Sequence, residues 1–579
     1  MPRHGGGEPK KRVGGCCRPP AASESCVTSF HRFHWPPPCN LGCDMPAAAQ
    51  LETSLRSLFS HDRPFGPINA GRIDDPAAFR QLFDTDSRVY ADLVRHPSVS
   101  LIVGRRGAGK TALLRSVTLL NQKQLIVELP AADAFQQLVR TVQGFPVGVS
   151  PGERLSKVWN LLFWAALLAK IRDSAPSEPS LVAVGRFLDG LEMPRNVDPY
   201  FAMRQLAGCL RERASEHHDD DAVEAAADFI NLLQFGGVGF REAQRSATEY
   251  LNESGTSAII LMDSLDDFKL ETQENRESLK GLLRCQAEFH STGSPYMLRC
   301  CLPAELKNSV YLQLSDNPNK DFESKLLVHW SAEELLRIGA SRFLHYLRLY
   351  YPEAYSQEFR LYKLTTRTGV REFWRRLMPH QVKSYLGLLE DPVAMVLRHT
   401  QLLPRQFLMY MNSIAVRNRV ITGDGKFVKF EPEAVVSGIQ DVENTLCQEI
   451  FSAYRSTYPG AEAACTRCLP QLPFRFRNGD LHSVYNRHGK TADFISDYED
   501  LRRTLIGIGA LGRVVKETGT YIEGEFNYSF DEELNLRGDD PLCIHALFSR
   551  VFNQSAGATA SPKKVVYAHD AKLPTQYAT

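Results

Sequence analysis

Residues 104–111 read Gly-Arg-Arg-Gly-Ala-Gly-Lys-Thr and meet the spacing G-x-x-x-x-G-K-T in full. Gly104, Gly107 and Gly109 allow the backbone to curl until its N–H groups face the oxygens of a phosphate. Arg105, Arg106 and Ala108 complete that loop. A helix opening at Lys110 and running through Ala112 adds the partial positive charge of its N-terminus. In this spacing the Lys110 ammonium reaches the β and γ phosphates, and the Thr111 hydroxyl ligates Mg²⁺. The flanks agree, because 99–103 is a short apolar run that reads as a buried strand, and an apolar helical stretch follows the loop. The expected cofactors are therefore ATP and Mg²⁺.

A second constellation follows at 258–267, Ala-Ile-Ile-Leu-Met-Asp-Ser-Leu-Asp-Asp. Asp263 ends an apolar strand expected beside the phosphate-loop strand, where a carboxylate can hold the water shell of Mg²⁺. Asp266 and Asp267 stand three and four residues on. Either can orient or deprotonate an attacking water, and Asp267 is the first choice. A solvated acidic loop capping the next helix is the alternative for this segment.

Together the two motifs resemble those of STAND and AAA-related ATPases, in which a small residue follows the first Asp and an acidic pair comes three residues later. The chain is also similar to bacterial P-loop ATPases found among defence-type genes. That similarity rests on the loop, on the Asp-Ser-Leu-Asp-Asp run, on His329-Trp-Ser-x-x-Glu-Leu335, on Pro404-Arg405 and on Cys543-Ile-His-Ala-Leu-Phe548. It spans about 95–552 and implies a regulatory ATPase. One departure is Asp267 where Glu is usual, and a shorter carboxylate there implies slow turnover. The segment ending Leu403-Pro404-Arg405 resembles a lid in which Pro-Arg begins a helix. Proline suits a first helical turn, and Arg405 is then placed to reach the nucleotide phosphates. Arg299 and Glu305, around a strand end, are candidate sensors, with a surface turn as the alternative. Arg342 is a candidate for touching a neighbouring subunit.

The elements that must position these residues follow from periodicity. Short apolar runs at 99–103, 125–129, 256–262, 296–302 and 325–329 suggest five strands. They alternate with helical segments, so the expected fold is α/β: a parallel-sheet P-loop NTPase core of ASCE type, followed by a helical lid and a winged-helix-like domain. The expected domains are an ATPase at 46–330 with a helical insertion at about 150–250, a lid at 331–445, and a winged helix at 446–553. Residues 1–45 and 554–579 are expected to be disordered. The first segment is rich in Gly, Pro, Arg and Cys, and translation is expected to begin at Met45.

Composition narrows the classes further. The chain has 579 residues, too many for one core, and a formal net charge of +1, so no global field draws in nucleic acid. No apolar run has the length of a membrane span; 159–168 reads as a buried helix. The absence of a continuous secretory h-region points to a cytoplasmic protein whose 13 cysteines are reduced. Cys465-x-x-Cys468 lacks two further ligands at zinc-finger spacing and reads as two thiols in a loop.

Arg502, Arg503, Arg513 and Lys516 in the expected winged helix are interleaved with Asp497, Glu499, Asp500, Glu517, Glu523 and Glu525. That balance favours packing over DNA binding. Three functions stay open at this point: a regulatory ATPase read by a protein partner or by self-assembly, a DNA-acting ATPase, and an ATP-binding scaffold without turnover. No nuclease, protease or cyclase constellation is present.

Overall fold

The computed structural model describes residues 45–119, 124–130, 134, 151–216, 234–263, 273–289, 294–306, 325–422, 429–529, 534–553 and 564–569. Two units divide the chain, Met1–Gln50 and Leu51–Thr579. Of the first, the described part is the opening of helix α1 (Met45–Leu58). The second holds both five-stranded sheets.

The five expected strands form. They are β1 (Leu101–Gly104), β2 (Gln124–Pro130), β3 (Ser257–Asp263), β4 (Tyr296–Pro303) and β5 (Lys325–Leu327). Every pairing is parallel, in the order β2-β3-β4-β1-β5. The expected adjacency of the Asp263 strand to the phosphate-loop strand is corrected here. β4 lies between β1 and β3, pairing Leu101 with Cys300 on one side and Ile259 with Met297 on the other. Strand neighbours depend on where the crossovers place the chain, and a local apolar run carries no trace of that.

Side chains of these strands alternate between two cores, as a pleat requires. Leu101, Val103, Ile260 and Met262 enter one cluster, while Ile102, Ile259, Leu261 and Cys301 enter the other. Three helices precede or follow β1: α2 (Pro76–Leu82), α3 (Arg88–Arg95) and α4 (Lys110–Arg115). α3 and α4 supply Val89, Leu93, Leu113 and Leu114 to the second cluster. The first cluster is covered chiefly by α5 (Pro151–Ser174), with α6 (Val182–Gly190), α7 (Pro199–Glu216) and α8 (Phe240–Ser254) between β2 and β3, and by α9 (Gln273–Phe289) between β3 and β4. Residues 161–169 of α5 are buried without a break, so this helix is apolar on all sides because it is enclosed. Among the described residues, no helix is long and apolar enough to cross a membrane.

The helical region contains α10 (Ala332–Tyr350), α11 (Arg367–Leu377), α12 (Pro392–Arg398), α13 (Pro404–Thr422) and α14 (Pro432–Tyr454). The expected boundary at 445 falls inside α14. After it come α15 (Ala461–Cys468), α16 (Asn478–His488) and α17 (Tyr498–Gly507), then a second sheet. That sheet contains β6 (Arg475–Phe476), β7 (Leu511–Glu517), β8 (Tyr521–Phe526), β9 (Leu542–Ile544) and β10 (Val565–Ala568), in the order β6-β9-β7-β8-β10. Helix α18 (Ala546–Phe552) follows β9. β7 and β8 form a hairpin, with the Thr518 N–H donating to the Tyr521 carbonyl at the turn.

The expected polar tail is also corrected in part. β10 lies parallel to β8, and Tyr567 is fully buried. Val565, Val566, Tyr567 and Ala568 form a short apolar run whose burial offsets its ordering cost. One continuous core joins Leu55, Phe59 and Phe65 near the chain's start, the helical region, and the second sheet.

Candidate functional site

The phosphate loop is built as its glycines suggested. Gly107 and Gly109 sit at φ +83° and +84°, a region that penalises any side chain. Gly104 lies outside that region and is glycine for a different reason: a Cβ there would lie 3.0 Å from the Val328 Cβ. The Ala108 N–H closes the turn onto the Arg105 carbonyl at 3.0 Å. Lys110 is buried, and its Nζ donates to the Arg105 carbonyl at 3.3 Å, so the ammonium is folded over the loop.

A cavity of about 450 Å³ opens on this loop. Lys110, Thr111, Asp263, Arg405, Arg342 and Asp84 all line it. Its size is that of a small-molecule site. The topology explains the meeting of Thr111 with Asp263: both follow the C-terminal ends of parallel strands, where open α/β sheets place their ligands. Asp266 and Asp267 lie outside the described residues. The Mg-ATP expected from the motif fits the groups present, because left-handed glycines, a helix N-terminus, the Lys110 ammonium, the Thr111 hydroxyl and the Asp263 carboxylate surround a single space.

Three of the loop's neighbours fix its shape. Trp330 Nε1 donates to the Ala108 carbonyl at 2.7 Å. The next residue, Ser331, caps α10 in a reciprocal box with Glu334, and Glu334 Oε1 also accepts from the Arg88 N–H at 2.8 Å. The His329-Trp-Ser-x-x-Glu-Leu run therefore ties the loop, α10 and α3 together. On another side, Glu305 is buried and its Oε1 accepts from the Arg106 N–H at 2.8 Å. The third neighbour is Arg405, whose N–H donates to the Gly107 carbonyl at 3.3 Å. A Cβ on Gly107 would come within 3.0 Å of the Arg405 Cβ. Pro404 opens α13, so the helix start and Arg405 both face the loop. Leu402 just before it holds φ +52°, which costs about 1 kcal/mol or more for a non-glycine residue and marks a tightly held segment.

Several expected placements are corrected. The Arg105 side chain turns away from the cavity: its Nη2 donates to Gln401 Oε1 at 2.6 Å, and its guanidinium lies over the rings of Tyr454 and Tyr528 at 5.8 and 5.4 Å. Ala108 is likewise buried, with its carbonyl given to Trp330. Arg299 donates from Nε to the Val99 carbonyl at 2.7 Å and from Nη2 to the Pro97 carbonyl at 2.8 Å, holding the chain ahead of β1. Burial draws its guanidinium down to about 10. It acts at the far end of the strand from the loop, so it is no sensor. Arg342 lines the cavity over the phosphate loop of its own chain, and its Nη1 donates to the Pro67 carbonyl at 2.6 Å. That geometry leaves it turned inward rather than toward a neighbouring subunit. Cys465 and Cys468 are buried on helix α15 rather than in a loop. Among the described residues, no cluster of three or more His, Cys, Asp or Glu side chains is placed to hold a metal ion.

Other site residues carried no legible signal. Asn69, Ala70 and Gly71 line the cavity, and Arg115 Nη1 holds them through the Ala70 carbonyl at 2.9 Å. Asp84 pairs with Arg337, Oδ2 to Nη2, at 2.7 Å. Burial raises the Asp84 carboxyl, against the lowering by that hydrogen bond. Gln401 passes the Arg105 contact onward, its Nε2 donating to the Ile508 carbonyl at 2.9 Å.

No protein-family model matches the chain, and no curated protein matches it. Among solved structures, the Walker-type ATPase PABY2304 of Pyrococcus abyssi is similar, with a TM-score of 0.32 and 11% identity over 74% of this chain and 90% of that one.

Proposed function

We propose that the chain is a regulatory P-loop ATPase that binds Mg-ATP in the cavity over residues 104–111 and hydrolyses it slowly. The supporting observation is the convergence of Lys110, Thr111, Asp263 and Arg405 on one space of about 450 Å³. Bound Mg-ATP supplies the phosphoryl group and a metal charge that neutralises its oxygens. Lys110 leaves the Arg105 carbonyl to meet the phosphates. Thr111 and Asp263 hold the metal and its water shell. Asp267 accepts the proton of the attacking water, with Asp266 as the neighbouring alternative. Arg405 adds a guanidinium from the helical region, so phosphate at the loop favours one placement of α13.

The regulatory part of this reading is supported by Arg105. It sits inside the phosphate loop yet bonds through Gln401 to the Ile508 carbonyl, next to the second sheet. A change in loop conformation is thereby felt at the C-terminal elements. A protein partner or self-assembly reads that change. The likeness to STAND and defence-type ATPases extends the proposal to a signalling role.

The DNA-acting alternative needs uncompensated cations on one face. Arg513 instead pairs with Glu525, Nε to Oε2 at 3.0 Å. Glu517 pairs with both Arg475 and Lys564, at 3.0 and 2.6 Å. Size measurements with ADP and with a non-hydrolysable ATP analogue, alongside a duplex-DNA titration in moderate salt, test the choice. A nucleotide-dependent change in shape or assembly is expected. Strong DNA stimulation of turnover without such a change would overturn the regulatory reading.

A further inference from the structure

A second cavity, of about 390 Å³, opens between α10 and α11. Arg337 of α10 and Arg367, Arg371 and Arg375 of α11 line it. The last three are spaced four apart, which puts them in a row along one helical face. Two acids, Glu333 and Glu372, share the lining. Glu333 Oε1 pairs with Arg367 Nε at 2.7 Å. Four guanidiniums and two carboxylates thus line the cavity, and Arg337 is also paired with Asp84 from outside it.

The start of α11 forms part of the same wall. Thr366 caps it, its Oγ1 accepting from the Gly369 N–H at 3.1 Å. Gly369 allows the 363–366 turn to close on the helix, since a Cβ there would lie 2.1 Å from the Lys363 carbonyl oxygen. The lining residues Arg367 and Thr368 are in the first turn, where backbone N–H groups have no intrahelical acceptor.

We infer that this cavity binds a small phosphorylated ligand, separate from the nucleotide at the phosphate loop. Guanidinium forks match phosphate oxygens in pairs, and a row of them beside a helix start suits a di- or trianion. Leu336, Leu364 and Val370 offer an apolar wall to an organic portion. No aromatic ring is among the described lining residues, so a sugar or aliphatic phosphate fits better than a stacked nucleobase. The site is also wired to the first. Arg337 lines this cavity, while its partner Asp84 lines the nucleotide cavity. A phosphate that draws Arg337 away alters Asp84, and linkage makes the effect mutual.

Calorimetric titration of the full chain with inorganic pyrophosphate tests this. Lys110→Ala disables the phosphate loop, so the outcome does not depend on the nucleotide reading. Binding of one pyrophosphate is expected to persist in Lys110→Ala and to weaken at least ten-fold on adding Arg371→Gln and Arg375→Gln. Loss of binding in Lys110→Ala alone, or affinity indifferent to the arginine substitutions, overturns the proposal. If the triple variant melts early, Lys110→Ala with Arg375→Gln alone decides, because the Arg375 side chain is exposed. A three-fold or greater loss is expected there, and unchanged affinity refutes the site.

Discussion

The Arg105 guanidinium and the Gln401 side-chain carbonyl meet at 2.6 Å, joining the phosphate loop to the strained segment that leads into α13. Because Gln401 also donates to the Ile508 carbonyl, one side chain from the loop is held by two later regions of the chain. Tyr454 and Tyr528 flank the guanidinium on its way there. The side chain of the loop's second residue thus contacts later parts of the chain instead of the cavity over the loop.

Arg105→Ala is accordingly expected to leave ATP affinity within a few-fold of wild type, while reducing any nucleotide-dependent change in hydrodynamic size. The lost charge-assisted hydrogen bond should lower stability by about 1.5–3 kcal/mol. Denaturant titration and size measurement in both nucleotide states check this. An unaltered size response would show that coupling runs elsewhere.

Lys110→Ala should abolish tight ATP binding, since its ammonium is the loop's charge over the phosphates. Asp263→Asn should weaken Mg-dependent binding, and Asp267→Asn should depress turnover with binding largely intact. Nucleotide titrations with and without Mg²⁺, followed by phosphate-release assays, separate these effects. If Asp266→Asn stopped turnover and Asp267→Asn did not, the base would be Asp266.

Tyr567 latches the last strand. Its hydroxyl donates to Glu390 Oε2 at 2.7 Å, beside the Arg398–Glu390 pair at 2.8 Å. Tyr567→Phe leaves Glu390 its arginine and, as the loss of a hydrogen bond to a charged group, should cost about 1.5–3 kcal/mol. Tyr567→Ala also opens a cavity and should cost about 3–5 kcal/mol. Equal urea midpoints for Tyr567→Ala and wild type would mean that β10 contributes nothing.

Glu443 sets a pH dependence. Burial pushes its carboxyl from 4.5 up to about 8, against the lowering by Arg550 and Arg398. His399 Nε2 stands 3.5 Å from Glu443 Oε1 and is itself held well below its usual value by burial. Between these limits the folded state retains a proton that the unfolded state has lost, so this residue's contribution to stability falls as pH rises from about 4.5 to 8. Glu443→Gln should flatten that part of the stability profile. Melting temperatures of both proteins across this range provide the comparison, and parallel curves would contradict the assignment.

The shape of the glycine loop was legible because it is set locally. A turn of eight residues with glycine at three positions must curl, and a lysine and threonine at its end must start a helix. The five strands were likewise visible as short apolar runs, since a sheet covered on both faces leaves no polar alternation to find. The buried character of α5 was written in its unbroken apolar stretch.

Relations between distant segments were decided only by the tertiary structure. The insertion of β4 between β1 and β3, the turning of Arg105 toward Gln401, and the reach of the buried Arg299 toward the chain ahead of β1 depend on how crossovers and helices pack. The same holds for Asp84 and Asn69, which join the cavity because α4 and α10 hold them there. A motif's spacing fixes what neighbouring residues can do together. Which groups meet across some 300 positions, as Arg105 and Gln401 do, is fixed by packing free energy summed over the whole core, and no local pattern encodes it.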